Sequence, residues 1–490
     1  MRRVQPRRFR RFICFRHMNT FVIRQYYVYE VSEVSFLKGI NRIHMVGIGG
    51  AGMCALARIL FLMGYTVTGS DVAHSDNTKR LENMGIKVYF GHSPLAAADS
   101  DAVVYSAAIG KDDPELVAAR RQSIPVMTRA RLFSELSLMH SSVFAVAGTH
   151  GKTTTTAMLT EILTKCGCEP TAVIGGHLPL IHGNGALGNG EIMVCEACEF
   201  ARTFLAIKRD TAVVLNIDND HLEQYGSMEA LTEAFGEFVK KSKTAVICGD
   251  DRLAVKCAEN AKEIITFGFG GNCDWRAVDE TINHGCRGFK ILKKGKPFAE
   301  IKLGVPGRHN VYNALAAAVC ADIAGVGAAE ISWGLNSFCG VSRRFEVVCR
   351  ENSITVADDY AHHPKEIKAV LSAAKELGFN KITAVFQPFT YSRTRLLLKD
   401  FSDALKIADR VILTEIMGGR EKNTYGVSSE ELSALLGGVP VFSQFEKAAE
   451  CALSGAKSGD LIITLGCGNI YKCARIMCNR LQKNEEHSEK

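Results

Sequence analysis

The chain runs to 490 residues, 47% of them hydrophobic and 23% charged, an ordinary globular balance with length for about three domains. Its net charge of +7 would suit a polyanion, but residues 1–38 carry eight Arg and one Lys against Glu30 and Glu33 and account for all of it. The remainder is formally neutral, which removes nucleic acid from the expected partners, and no apolar run nears the roughly 18 residues of a membrane span.

Residues 1–40 read as a basic N-terminal extension, expected to be disordered. The segment is Arg-rich but has no h-region or cleavage site, so it is not a secretion signal. An upstream translation start explains it, with Met18 as an alternative initiator.

The first unit spans 41–131. Arg42 to Val46 predicts a short buried strand, Gly47-Ile48-Gly49-Gly50-Ala51-Gly52 a tight turn, and Met53 to Met63 has helical spacing. The next strand, Thr66 to Asp71, ends in an acid. G-x-G-x-x-G with an acid about 20 residues on is a dinucleotide-binding fingerprint. Alone it argues for a nicotinamide dehydrogenase; beside the second unit's phosphate loop, it argues that a nucleotide diphosphate lies on this turn.

The second unit, 132–340, is the most informative. The apolar run Val143 to Ala147 leads into Gly148-Thr149-His150-Gly151-Lys152-Thr153 and a helix opening Thr153-Thr154-Thr155-Thr156. Strand, glycine turn and helix N-terminus make a cradle for a polyphosphate. Lys152 is placed to reach the β- and γ-phosphates and the Thr153 hydroxyl to hold magnesium. The strict phosphate-loop pattern has a glycine where Val146 stands, so the match is one residue off. Two later strands end in polar residues at the carboxyl edge where ligands bind: Glu196 on one, Asn216, Asp220 and His221 after the other. Residues 267–303 look like an antiparallel excursion, and 304–325 a turn and an Ala-rich helix. Asn310 and Asn313 share one face at its start, although Asn310 alone would also serve as a cap.

The third unit, 341–480, alternates strands and helices again, with Pro364 opening a helix and Gly466-Cys467-Gly468-Asn469 forming a turn read as structural. Residues 481–490 are a polar tail. The predicted fold class is α/β in three consecutive domains: an N-terminal Rossmann-like domain, a central ATPase-type parallel sheet of the phosphate-loop kind, and a C-terminal Rossmann-like domain. The seventeen cysteines are scattered through apolar segments, as at Cys54, Cys248 and Cys320, where a free thiol acts as a small hydrophobe. Cys195 and Cys198 form the one C-x-x-C and have no second pair at zinc-ligand spacing. A reduced, cytoplasmic protein is expected.

Over about residues 41–475 the chain resembles the Mur ligases of bacterial cell-wall synthesis. The strings that carry the resemblance include His44 to Met53, Ala145 to Thr155, Asn216 to His221, Pro306 to Ala314, Arg343-Arg344-Phe345-Glu346, Asp358 to Pro364, and Phe386-Gln387-Pro388 with Tyr391-Ser392-Arg393-Thr394. The resemblance implies an N-terminal UDP-binding domain and ATP-dependent ligation of L-alanine to the carboxylate of UDP-N-acetylmuramate, through an acyl phosphate and a tetrahedral intermediate.

It also implies roles. Lys152, Glu196, His221, Arg344 and Asp359 are expected to be catalytic, with Thr153, Glu196 and His221 holding magnesium, two ions in all. ATP falls to Gly148, Thr149, His150, Gly151, Lys152, Thr153, Thr154, Asn310 and Asn313. The UDP-sugar falls to Gly47, Gly49, Gly50, Ala51, Gly52 and Asp71, with Ser106 and Arg129 as looser candidates. Tyr360, His362 and Arg393 receive the amino acid, Arg393 facing its carboxylate. The partners are these small molecules, and a monomer or a homodimer is left open.

The chain departs from the family pattern at Cys198, in place of an aspartate, at Phe200 and Ala201, in place of a serine and an aspartate, and at Phe389, in place of a histidine. These put the surroundings of the metal site and the alanine contacts in question. Three rivals stand beside the ligase reading: a related ligase that attaches an intact tripeptide, a dehydrogenase built on the first glycine turn, and a non-catalytic UDP-sugar sensor.

Overall fold

The computed structural model describes residues 36–488 apart from 190, 220, 221 and 420. Three sheets follow one another along the chain. The first joins β1 (Arg42–Val46), β2 (Thr66–Asp71), β3 (Lys87–Phe90), β4 (Ala102–Tyr105) and β5 (Val126–Thr128), all parallel, in the order β3-β2-β1-β4-β5. The glycine turn follows the central strand β1 and opens the helix Ala51–Leu62. Residues 36–40 depart from the expected disorder. Leu37 is 2% exposed in the core, and the Arg131 guanidinium lies 5.6 Å over the Phe36 ring, because apolar side chains at this end find a surface to cover. The expectation for residues 1–35 lies outside the described residues.

The second sheet holds β6 (Ser142–Ala147), β7 (Thr171–Leu178), β8 (Gly183–Ala186), β9 (Ile192–Glu196), β10 (Thr211–Val214), β11 (Thr244–Cys248), β12 (Ile264–Gly268), β13 (Trp275–Asn283), β14 (Cys286–Lys293) and β15 (Lys296–Pro306). Its order is β15-β14-β13-β12-β11-β10-β6-β9-β7-β8, parallel from β13 to β7 and antiparallel at both ends. The antiparallel excursion extends this sheet instead of forming a separate one. Residues Val143 to Ala147 of β6 are fully buried, which is why the strand reads as an unbroken apolar run. The helix Lys152–Lys165 is buried from Thr153 to Leu163 and packs on the Ala-rich helix His309–Ile323, whose small side chains let the two axes approach. The helix Arg129–Leu138 lies across the boundary drawn at 131, with Leu132, Phe133 and Leu136 all buried.

The third sheet holds β16 (Glu346–Glu351), β17 (Ile354–Asp359), β18 (Ile382–Phe386), β19 (Arg410–Thr414), β20 (Val441–Phe442) and β21 (Leu461–Leu465), in the order β16-β17-β21-β18-β19-β20 with only β16 antiparallel. The last helix, Tyr471–Ser488, carries on into the polar tail and buries Leu481. One expectation fails here. The cysteines are not all free: Cys349 in β16 and Cys478 in that helix form a disulfide across 129 residues of sequence, a proximity only the fold creates.

Candidate active site

The phosphate loop leaves β6 and turns through Gly148 and Gly151, both in backbone conformations closed to most side chains, at φ +136° and +89°. A Cβ on Gly151 would also collide with Asn313 Oδ1. The end of β10 holds the loop. His150 N donates to Asn216 Oδ1 at 2.8 Å, Asn216 Nδ2 donates back to the His150 carbonyl at 3.0 Å, and Asp218 N donates to Thr149 Oγ1 at 2.8 Å. Lys152 Nζ donates to the Gly148 carbonyl, to the Thr149 carbonyl at 3.0 Å, and to both Glu199 oxygens at 3.1 and 3.0 Å. Burial opposes the lysine's charge, but the Glu199 carboxylate outweighs it and keeps the ammonium protonated. Glu199, 2% exposed, escaped the sequence reading, since nothing in an acid three residues past Glu196 marks it as the lysine's partner.

Glu196 ends β9 and points at the same loop. Its carboxylate accepts from Gly175 N and from the Thr153 side chain, and burial pushes its pKa above the ordinary carboxylate range. A Cβ on Gly175 would stand 2.7 Å from that carboxylate and 3.0 Å from Thr153 Oγ1, so the glycine leaves the space in which the two converge. A buried carboxylate beside a hydroxyl is a donor set that fits a hard divalent cation. Arg344 arrives from the third domain, its NH2 donating to Thr153 Oγ1 at 3.4 Å. Asp220 and His221 lie outside the described residues, so Glu196 and Thr153 are the described members of the expected metal set.

Two cavities meet here. One of 360 Å³ lies between the second and third domains and is lined by His150, Gly151, Thr154, Asn310, Asn313 and Asp359 among others. Its two asparagines form a chain: Asn310 Nδ2 donates to the Pro306 carbonyl at 2.7 Å, Asn313 Nδ2 to Asn310 Oδ1 at 3.0 Å, and Thr155 Oγ1 to Asn313 Oδ1 at 3.2 Å. Asn310 therefore does not cap the helix. Asp359 accepts from Phe345 N and Ala361 N, both at 2.7 Å, and burial pushes its carboxyl up to about 6. The other cavity, of 650 Å³, touches all three domains and is lined by Ala51, Lys152, Thr153, Glu196, Arg344, Tyr360 and His362 among others.

The residues expected to take the UDP-sugar gather around the first glycine turn. Asp71 Oδ2 accepts from Gly49 N at 2.8 Å, which makes this acid a brace of the turn itself. The Ser106 Cβ stands 3.4 Å, and the Arg129 guanidinium 2.7 Å, from where side chains on Gly47 and Gly52 would begin. Gly50 occupies the cap position of the helix that Ala51 opens. Asn77 and Arg80 were missed: Asn77 Nδ2 donates to the Gly49 carbonyl at 2.9 Å, and both line the large cavity.

On the amino-acid side, Tyr360 and His362 share the cavity wall, His362 Nδ1 standing 3.1 Å from the Tyr360 carbonyl. Arg393, on the helix Tyr391–Leu396, is not on that wall; burial pushes the Cys467 thiol up to about 12, and the nearby Arg393 charge opposes that only in part. The 466–469 turn is structural: Arg343 clamps it, donating to the Gly466 and Gly468 carbonyls at 2.6 and 3.0 Å and to Asp358 at 2.8 Å. Cys198 lines the large cavity as a free thiol, pushed up to about 11 chiefly by burial. Phe200 and Ala201 fall in a short helical segment, Phe200–Ala206, bent by positive φ at Ala201 and Arg202. Phe389 packs near Gly419.

A further cluster links the domains. The His150 ring has Nε2 3.3 Å from Asp218 and Nδ1 3.1 Å from Glu366 on the helix Pro364–Glu376. Burial opposes its charge, yet the two carboxylates raise its pKa to about 9. Asp218 also accepts from Lys365 Nζ at 2.6 Å.

Comparison with known proteins finds a family and relatives of similar sequence and fold. Family models described as "Mur ligase family, catalytic domain", "Mur ligase middle domain" and "Mur ligase, glutamate ligase domain" match residues 42–140, 146–321 and 343–468. The UDP-N-acetylmuramate–L-alanine ligase of Acetivibrio thermocellus is 42% identical over 442 residues, covering 88% of this chain and 94% of its own. That of Clostridium perfringens is 39% identical over 450 residues, covering 90% and 98%. The crystal structure of the UDP-N-acetylmuramate-alanine ligase from Thermotoga maritima superposes with a TM-score of 0.79 at 32% identity, over 90% of this chain and 99% of that one. A murein peptide ligase from Psychrobacter arcticus shares the fold at a TM-score of 0.71 and 24% identity, over 90% and 99%. No helix among the described residues is long and apolar enough to cross a membrane.

Proposed function

The chain belongs to the Mur ligase family, and on that premise we propose that it joins L-alanine to the carboxylate of UDP-N-acetylmuramate in peptidoglycan precursor synthesis, converting ATP to ADP and phosphate. The observation that carries the reading is one cavity, walled by all three domains, onto which Lys152, Thr153, Glu196 and Arg344 converge.

The first step brings a carboxylate up to the γ-phosphorus of a highly charged anion, opposed by several kcal/mol at an effective dielectric of about 20. Lys152 and Arg344 supply fixed positive charge against that repulsion, and the loop's N–H groups add the helix N-terminus. Magnesium, held by Thr153 and Glu196 with His221 as a further ligand and a second ion, would supply charge neutralisation on the phosphates. The ATP base fits the smaller cavity, against Asn310 and Asn313. The UDP diphosphate fits the first glycine turn, whose cavity-facing residue Ala51 aims the sugar toward the phosphate loop. Tyr360 and His362, on the cavity wall, hold alanine, whose amine attacks the acyl phosphate; the tetrahedral adduct then expels phosphate. Walls from separate domains keep water from the acyl phosphate.

Phosphate release is the test. It should require ATP, UDP-N-acetylmuramate and L-alanine together and vanish when any one is omitted. Release with the tripeptide but not with alanine would overturn the substrate assignment, and no release at all would overturn the reading.

A further inference from the structure

Glu366 is a single carboxylate between two sites. Its Oε1 stands 3.1 Å from His150 Nδ1 on the phosphate loop. Its Oε2 accepts from His362 N at 3.1 Å and lies 3.3 Å from His362 Nδ1, on the segment assigned to the amino acid. The side chain is only 14% exposed and forms part of the wall of both cavities. His150, by contrast, lines the smaller cavity and not the one that holds Tyr360 and His362. Asp218 fixes the far side of the His150 ring, and Lys365, the residue before Glu366, reaches back to Asp218 at 2.6 Å. Two contacts of this cluster therefore cross between the second and third domains, and one residue connects them to His362.

We propose that His150 and Glu366 act as a positioning pair that sets the amino-acid side of the large cavity from the phosphate loop. The proposal rests on the ligase reading. On the amino-acid side each acts through another: His150, itself expected at ATP, through Glu366, and Glu366 through the backbone and ring of His362. Interfaces between packed domains settle into discrete arrangements, and a misplacement of about 1 Å at a reacting centre costs about a hundredfold in rate. Release of the Glu366 carboxylate from His150 lets the His362 segment shift, although nothing at that segment has been changed.

The test is steady-state kinetics of the full chain with His150→Gln, Glu366→Gln and the double variant. Each single variant should raise the KM for L-alanine about tenfold, a coupling of ordinary size. The KM for UDP-N-acetylmuramate, bound on the first domain, should stay within about twofold by the same coupling argument. The double variant should lose no more than the worse single one, because the two residues form one contact. A merely structural role would lower kcat through loss of folded enzyme and leave the alanine KM where it was. An unchanged alanine KM in His150→Gln, or multiplied losses in the double variant, would overturn the pair. If Glu366→Gln fails to fold, His150→Gln, a loop substitution, decides the matter. A wild-type protein without turnover would instead bring down the ligase reading, and the pair's role with it.

Discussion

Glu196 carries a burial cost that its surroundings only partly offset, since its pKa is raised even with Gly175 N and Thr153 donating to it. Such a carboxylate is suited to a cation, and Glu196→Ala should lower turnover by at least about a hundredfold, as removal of a positioned electrostatic group does, while far-ultraviolet circular dichroism stays that of wild type. Near-normal rates would remove it from the site. His150 makes a pH prediction. Its folded pKa, about 9, lies above the ordinary 6.5. The ion pairs therefore stabilise the fold fully below about pH 6.5 and lose that contribution as pH rises through about 9. Wild type should exceed His150→Gln in urea midpoint at pH 6, and the gap should close by about pH 10, where the imidazole is neutral in folded and unfolded chains alike. A gap independent of pH would contradict the assignment.

At the scale of the element, the phosphate loop depends on its glycines. Gly151→Ala asks a side chain to adopt φ +89° and to occupy the place of Asn313 Oδ1. The backbone strain is about 1–3 kcal/mol, and the displaced asparagine belongs to the smaller cavity. The variant should therefore lose ATP affinity by more than it loses thermal stability, measurable by titrating ADP and by a melting curve on the same sample. The loop's strand, turn and helix were all legible in the sequence, because a continuously apolar strand, a glycine turn and a threonine-rich helix start are local patterns. Glu199 and Glu366 were not legible. Each acts on a residue of another segment, Lys152 and His150, and no spacing along the chain announces such a pair.

At the scale of the whole molecule, contacts between domains shape the cavity. Arg475 on the last helix pairs with Asp76 of the first domain at 3.0 and 2.5 Å, across 399 residues. Both partners are substantially exposed, so the pair is worth about 0–1 kcal/mol, and Arg475→Ala should barely move the melting temperature. The Cys349–Cys478 disulfide ties β16 to that helix within the third domain. Its reduction should destabilise that domain by about 2–4 kcal/mol, read as a lower urea midpoint in the presence of dithiothreitol, with no change in a Cys349→Ser variant on adding the reductant.

Sequence by itself determined the three α/β units, the two glycine turns and the residue types proposed for phosphate and metal, because strand burial, turn geometry and helix starts are written in neighbouring residues. It also led to expectations that failed at Leu37 and at the Cys349–Cys478 pair. Tertiary structure alone decided that Glu199 holds Lys152, that Asp71 braces its own turn, and that one carboxylate, Glu366, faces two cavities. Those are meetings between segments tens to hundreds of residues apart, set by how buried sheets and helices pack, and packing leaves no periodic trace in the residues it brings together.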